Sequence, residues 1–378
     1  MRRFPRSIAP EGRRTPCRRR ACASLPHPER RRCARCPGDP GAVKIFVHPI
    51  HPERWRVERR RPVRAHREFR RQFETRLRRH ATRRLDDADW ALLPINLVHW
   101  QFNRRRPDPG DWILRLPGID RGRTLVLASG DYGQRRPSAW ENHAANRPYP
   151  RPYGWLDERF TLIVLESTAE LFPGDIAFLP FQPDPSPLGR LLGRRGVEWT
   201  DAPRDLLYCF SGVVSYPELA ESHIRGGALR PLVGRGPDYF VGSPSDAAGA
   251  YGPAGDFVPL MSRSDFTLCP AGFGRWSFRL VQAILAGSLP VLLSDGYVLP
   301  FAHRIPWDSF LVRVPERDVA SVPDMLRAMP VDERRARVEA MRAARPLFTR
   351  SGVLGLVEDE LRARCGSAQP RPRARHEP

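Results

Sequence analysis

The stretch that most constrains the fold runs from Asp265 to Phe301, DFTLCPAGFGRWSFRLVQAILAGSLPVLLSDGYVLPF. Phe266 to Cys269 is a short apolar run suited to a buried strand. A loop containing Gly272 and Gly274 follows, and Ser277 is a good N-cap for the helix it precedes. Phe278, Val281 and Leu285 fall at i, i+3 and i+7, with Leu280 and Ile284 beside them, so one face packs on a sheet. Gly287 supplies the C′ glycine, and Leu289 to Leu293 form a second buried strand. Strand, glycine loop, helix and strand in this order make the repeating unit of a parallel α/β sheet.

The polar residues of the unit suggest what it holds. Arg275 lies just before the helix and Arg279 in its first turn. The helix dipole is positive there, which disfavours cations by a few tenths of a kcal/mol unless an anion sits between them. Free N–H groups after Gly272 and Gly274, with two guanidiniums, would cradle a diphosphate; a solvated arginine pair is the plainer alternative. Gln282 lies three residues beyond Arg279 and shares its face. Neither GxGxxG nor GxxxxGK[ST] is present in the loop, so neither a Rossmann dehydrogenase nor a P-loop NTPase is indicated.

The string Phe266 to Phe301, followed by IPWDSFLVRVPERDV (Ile305 to Val319), resembles the C-terminal signature of the exostosin-like glycosyltransferases, glycosyltransferase family 47. The pattern is met by Leu268, Pro270, Gly272, Arg279, Ala283, Ile284, Gly287, Pro290 and Val291. It continues with Asp295, Leu299, Pro300 and Phe301, then Ile305, Trp307, Phe310 and Glu316. The resemblance covers roughly residues 43–330, strongly after 204 and loosely before. One departure stands out: the family's glutamate is Gln282 here. In transferases of this architecture that carboxylate holds the donor ribose. A glutamine keeps hydrogen bonding without charge assistance, which implies weaker donor binding or altered donor choice.

Charge is unevenly spread. Of the net +21, residues 1–40 carry +9, Lys44 (the only lysine) +1 and residues 51–80 +8, which leaves +3 for residues 81–378. The body is therefore no nucleic-acid surface, and any polyanion or anionic-membrane contact belongs to the first eighty residues. No apolar run reaches a membrane span, and the N-terminus has no apolar secretory segment, which makes a cytoplasmic protein the default. Seven cysteines without a signal peptide argue for reduced thiols. The Cys33-x-x-Cys36 pair lacks apolar packing around it and a well-spaced partner pair, so zinc is not expected.

Residues 1–40 are Arg/Pro-rich and read as a disordered extension. VKIFVHP from Val43 opens the structure, and residues 53–80 form a basic helical stretch. That stretch is either a solvated arginine face or a dock for an anionic membrane or glycan. Asp87 and Asp89 spell D-x-D but precede a strand instead of following one, so no metal is expected there. Asp131, after the RTLVLASGDYG strand, and His99, after INLVHW, are candidate general bases. Each also has a plainer reading, Asp131 as an Asx-turn residue. RDLLYCFSG gives a strand ending in Ser211 and Gly212, and by the resemblance Arg225 reaches the donor phosphates. Residues 331–364 are helical in pattern and can pack back across the first domain.

The expected fold class is α/β, GT-B-type: two Rossmann-like parallel-sheet domains facing a cleft. The expected domains are a 1–40 extension, an acceptor-side domain at 41–203, a nucleotide-sugar-binding domain at 204–365 and a flexible tail at 366–378. The resemblance implies a soluble, bacterial-type hexosyl- or glycuronosyltransferase moving a sugar from a UDP- or GDP-linked donor to a hydroxyl of a glycan, glycolipid or small molecule. It implies inversion and no metal or other cofactor, with Asp131 or His99 as base. The donor site comprises Ser211, Gly212, Arg225, Gly272, Arg275, Ser277, Arg279, Gln282 and Asp295. Peripheral contact with the inner membrane face would run through the basic 53–80 helix. Two rivals stand beside this reading: a catalytically silent nucleotide- or carbohydrate-binding relative, suggested by Gln282, and a polyanion-binding protein using the basic N-terminus.

Overall fold

A computed structural model of the chain describes residues 43–50, 63–98, 108–130, 153–165, 174–181, 199, 203–217, 219, 223–247 and 257–366. Within residues 43–378 it contains two six-stranded sheets. The first holds β1 (Ile45–Val47), β2 (Ala81–Thr82), β3 (Trp90–Asn96), β4 (Thr124–Ala128), β5 (Phe160–Val164) and β6 (Ile176–Ala177). Its order is β2-β1-β3-β4-β5-β6, all parallel. The second holds β7 (Leu206–Ser211), β8 (Gly234–Arg235), β9 (Tyr239–Gly242), β10 (Ser264–Pro270), β11 (Leu289–Leu293) and β12 (Val312–Arg313). Its order is β12-β11-β10-β7-β9-β8, parallel except at the β8 edge. These are the two parallel-dominated α/β sheets that a GT-B-type architecture requires.

The strands follow from composition. Trp90 to Asn96 and Thr124 to Ala128 are buried at every position, which is the pattern of parallel strands covered on both faces. Pro94 cannot donate to a ladder, and the β3–β4 register shifts between Leu93 and Asn96, where it sits. The 265–301 unit forms as its sequence predicts. Ser277 caps α2 (Phe278–Ala286), following α1 (Val63–Leu77), by accepting from the Arg279 N–H at 3.3 Å. Gly287 ends α2 at φ 85°, where a Cβ would meet the Trp199 ring at 2.9 Å.

In the first sheet β1 lies between β2 and β3, and in the second β7 lies between β9, which leads to one edge, and β10, which leads to the other. The topological switch points therefore lie between β1 and β3 and between β7 and β10. One hydrophobic core runs through both sheets. Phe69 and Phe73 of α1 lie at i and i+4 and pack on Phe178 and Phe181. Phe69 also stacks on Phe278 of α2, ring centroids 6.3 Å apart. The C-terminal helices α3 (Val331–Ala344) and α4 (Arg350–Gly366) form where the helical pattern places them. α4 reaches the first sheet: Arg76 donates to Glu358 at 2.7 and 2.6 Å, and Trp90 Nε1 donates to the Leu361 carbonyl at 3.4 Å.

Among the described residues no helix is long and apolar enough to cross a membrane. The N-terminal extension, the Cys33–Cys36 pair and the first part of the basic 53–80 stretch lie outside the described residues. Within that stretch, Arg70 and Arg78 pair with Glu74, and Arg71 with Glu68. Asp89 accepts from the Lys44 N–H at 2.8 Å, tying the turn before β3 to β1.

Candidate functional site

A pocket of about 400 Å³ opens at the carboxyl ends of β7 and β10, the switch point of the second sheet. Gly212 and Val213 enter from β7, and Gly272 to Gly274 from β10. Trp276, Ser277, Phe278 and Arg279 come from the start of α2, and Tyr216 and Arg225 from the segment after β7. No Asp or Glu is found among the described lining residues. Two cations and a helix start therefore face one space.

Arg225 sits in a single π-helical turn, Ile224–Ala228, whose first N–H groups point toward His223 and Glu316. Its Nε donates to the Ala271 carbonyl at 2.6 Å and Nη2 to the Pro270 carbonyl at 3.4 Å. The guanidinium lies over the Tyr216 ring at 5.1 Å. This packing explains Gly272: a Cβ there would stand 3.1 Å from Arg225 Nη2. Gly212 is likewise forced, since its Cβ would meet the Phe210 ring at 2.7 Å.

Arg279 is held more tightly still. Nε and Nη2 donate to the Ser211 carbonyl at 3.0 and 2.7 Å, Nη1 donates to Gln282 Oε1, and the guanidinium lies 3.9 Å over the Phe257 ring. Burial, and then the neighbouring Arg225 cation, pull its pKa down to about 10, so it remains a cation at neutral pH. Such a pair of like charges is stabilised when an anion enters between them.

The sequence-predicted residues divide. The structure brings Gly212, Arg225, Gly272, Ser277 and Arg279 together on the pocket wall. Ser211 contributes its carbonyl to Arg279, and Gln282, 5% exposed, serves Arg279 as well. Arg275 turns away to donate to the Asp295 carbonyl and does not line the pocket. Asp295 accepts from the Glu316 N–H at 3.2 Å and donates its own N–H to Glu316 Oε1 at 3.0 Å. Glu316 Oε2 accepts from the Ile224 N–H at 2.9 Å, so one carboxylate ties the loop after β11 to the turn that carries Arg225. Burial pushes the Glu316 pKa up, and the two N–H donors hold its charge in place. Asp131 and His99 lie outside the described residues.

Sequence reasoning missed Tyr216 and Trp276 as wall residues. Trp276 is 8% exposed and its Nε1–H has no hydrogen-bond partner, an unusual state for a buried indole. The one available signal was position: Trp276 interrupts a loop whose neighbours are small or charged.

Residues 163–329 match the model of the Exostosin GT47 domain. The match covers the second sheet and the end of the first and leaves out the looser resemblance expected for 43–162. A probable glucuronosyltransferase of rice (Oryza sativa subsp. japonica) is 48% identical over 73 residues, 19% of this chain and 17% of that protein. A probable beta-1,4-xylosyltransferase of Arabidopsis thaliana is 44% identical over 72 residues, 19% of this chain and 18% of that protein. The aligned part thus spans less than a fifth of these relatives' length. The crystal structure of Anabaena HepE in complex with UDP superposes with a TM-score of 0.39 at 11% identity, covering 85% of this chain and all of that one.

Proposed function

We propose, from the premise that residues 163–329 are an exostosin GT47 domain, that the chain transfers a sugar from a nucleoside diphosphate sugar to a hydroxyl acceptor. The observation that carries the reading is the pocket with Arg225 and Arg279 on its wall and a capped helix start at Ser277. A diphosphate places its two charges where these donors converge. As the bond from the anomeric carbon to the diphosphate breaks, negative charge grows on the leaving oxygen. Two fixed guanidiniums stabilise that charge with little reorganisation. The donor is UDP- or GDP-linked and the transfer inverting. The protein cations occupy the electrostatic role that a divalent ion fills elsewhere. Asp131 and His99 remain candidates for receiving the acceptor proton.

A silent, nucleotide-binding relative is the second reading, favoured by Gln282, whose amide oxygen is engaged with Arg279. The two separate in one sequence of measurements. UDP and GDP, but not AMP, should raise the melting temperature of the wild type, and Arg279→Ala should reduce the shift at equal ligand concentration. Hydrolysis or transfer of UDP-glucuronic acid or UDP-xylose then identifies the enzyme. Binding without turnover of any nucleotide sugar favours the silent relative, and no stabilisation by any nucleoside diphosphate removes both.

A further inference from the structure

At the carboxyl edge of the second sheet, the segments that follow β12, β11, β10 and β7 lie in strand order, and hydrogen bonds close them into a ring beside the pocket. Glu316 follows β12. Its Oε1 accepts from the Asp295 N–H at 3.0 Å, and Asp295 Oδ1 accepts from the Glu316 N–H at 3.2 Å. Ser294 Oγ donates to the Arg275 carbonyl at 2.7 Å, and the Arg275 guanidinium donates to the Asp295 carbonyl. The loop that carries Arg275 also meets the segment after β7, where Arg225 Nε donates to the Ala271 carbonyl at 2.6 Å. Glu316 Oε2 closes the ring by accepting from the Ile224 N–H at 2.9 Å.

That last bond sits next to Arg225. Ile224–Ala228 is a π turn, and the N–H groups at the start of a helical turn need partners from outside it. The Ile224 N–H takes Glu316, and the Arg225 N–H takes His223 Nδ1 at 3.2 Å. The two Glu316 oxygens therefore hold two different segments. One holds the loop after β11, and the other holds the entry of the turn from which Arg225 reaches the pocket wall. An amide of the same shape cannot do both, because it offers one acceptor and points an N–H at the other donor. Glu316 is not among the described lining residues, so its effect on a ligand in the pocket runs through Arg225.

We propose that Glu316 is the positioning residue for Arg225: its carboxylate fixes the π turn so that the guanidinium is already in place for the diphosphate of a nucleotide sugar. This deepens the sugar-transfer reading and rests on it. The proposal has a definite sign. A carboxylate near the pocket repels an anion, so on charge alone its removal would tighten binding, whereas loss of positioning weakens it.

A proton supplies the same perturbation as the mutation. Burial pushes the Glu316 pKa above the ordinary 4.5; the Asp295 and Ile224 N–H groups oppose the shift, the Asp295 charge adds to it and the Arg275 cation opposes it. The turn packed against Glu316 also carries His223 and Arg225, and the next turn carries Arg230. The anion is the form that holds both segments, so affinity is kept above the folded pKa and lost as pH falls through it.

The test uses the full chain, with UDP-xylose and GDP-mannose as probes, since their phosphates are diesters that keep their charges from about pH 4.5 to 8. Glu316→Gln should weaken the affinity of the bound probe about tenfold at pH 8 in calorimetry, the size of one charge-assisted hydrogen bond. A loss of threefold or more supports the proposal; a smaller change, or tighter binding, overturns it. The ratio of wild-type to variant affinity should shrink toward one as pH falls toward about 4.5. A ratio that stays constant makes Glu316 merely structural and overturns the proposal. Should the variant fail to fold, the wild-type profile decides, and a flat affinity over this range overturns the proposal. Exchange of the Arg225 Nε–H, followed by NMR without nucleotide, is an independent readout: faster exchange in Glu316→Gln supports the positioning role, and unchanged exchange overturns it. A wild type that binds neither probe sinks the transfer reading, while this exchange still reports on Glu316 by itself.

Discussion

Glu358 joins the two ends of the chain, and its charge should be worth several degrees of melting temperature. It is 3% exposed on α4 and receives three hydrogen bonds from the first half: Arg76 at 2.7 and 2.6 Å and His80 Nε2 at 2.9 Å. Glu358→Gln keeps the volume but removes the charge and turns one acceptor into an N–H donor facing a guanidinium N–H. At least one of the two Arg76 bonds is lost, and Arg76, with its side chain 23% exposed, is left largely uncompensated. Breaking one side of a fully buried pair costs about 3–5 kcal/mol, and the partial exposure of Arg76 brings the expectation to about 2–3 kcal/mol. For a chain of this size that corresponds to roughly 3–4 °C in the melting midpoint.

The effect should depend on pH with a definite sign. Burial alone raises the Glu358 pKa, but the hydrogen bonds from Arg76 and His80 outweigh it and hold the folded value below the usual one. The stabilisation is therefore fully present above about pH 4.5, the ordinary carboxylate value. It is lost as pH falls through the depressed folded value. Thermal melts of wild type and Glu358→Gln should differ by a constant amount from pH 6 to 8 and converge below about pH 4. A difference under about 0.5 kcal/mol at pH 7, the size of an ordinary surface change, would refute the reasoning, as would one that persists undiminished at pH 3.

Further outcomes concern the pocket. Arg279→Ala should weaken UDP or GDP binding by tenfold or more, the loss of one charge-assisted hydrogen bond at about 1.5–3 kcal/mol, measured by calorimetry. Because Arg279 binds as the cation, affinity should be flat from pH 7 to 9 and lost as pH rises through about 10. Gly272→Ala should displace the Arg225 guanidinium by a few tenths of an ångström, since the new Cβ would sit 3.1 Å from Nη2. It should cost about threefold in nucleotide affinity, roughly 0.6 kcal/mol, with the melting midpoint nearly unchanged. Trp276→Phe removes a buried donor that has no partner, so the unliganded protein should lose no more than about 1 kcal/mol in chemical denaturation.

What the sequence determined by itself was local. The strand, the cap at Ser277, the amphipathic face of α2 and the stop at Gly287 are each specified within a few residues, and all formed as read. The motif that follows, through Glu316, carried the family resemblance for the same reason, since it is contiguous. Tertiary structure decided the partners. Arg275 and Arg279 are neighbours in sequence, yet Arg275 turns to Asp295, while Arg225 reaches the pocket because β7 and β10 are adjacent strands. Gln282 shares a helix face with Arg279, but only the placement of Ser211 beside both shows that it holds the guanidinium. His66 lies in an arginine-rich stretch that reads as a solvated face, and the ends of β3 and β4 give it Asn96 and Ser129. Periodicity and capping encode which residues share a face of one element. They carry no information about strand order, and strand order is what brings residues from distant parts of the chain to one edge of a sheet.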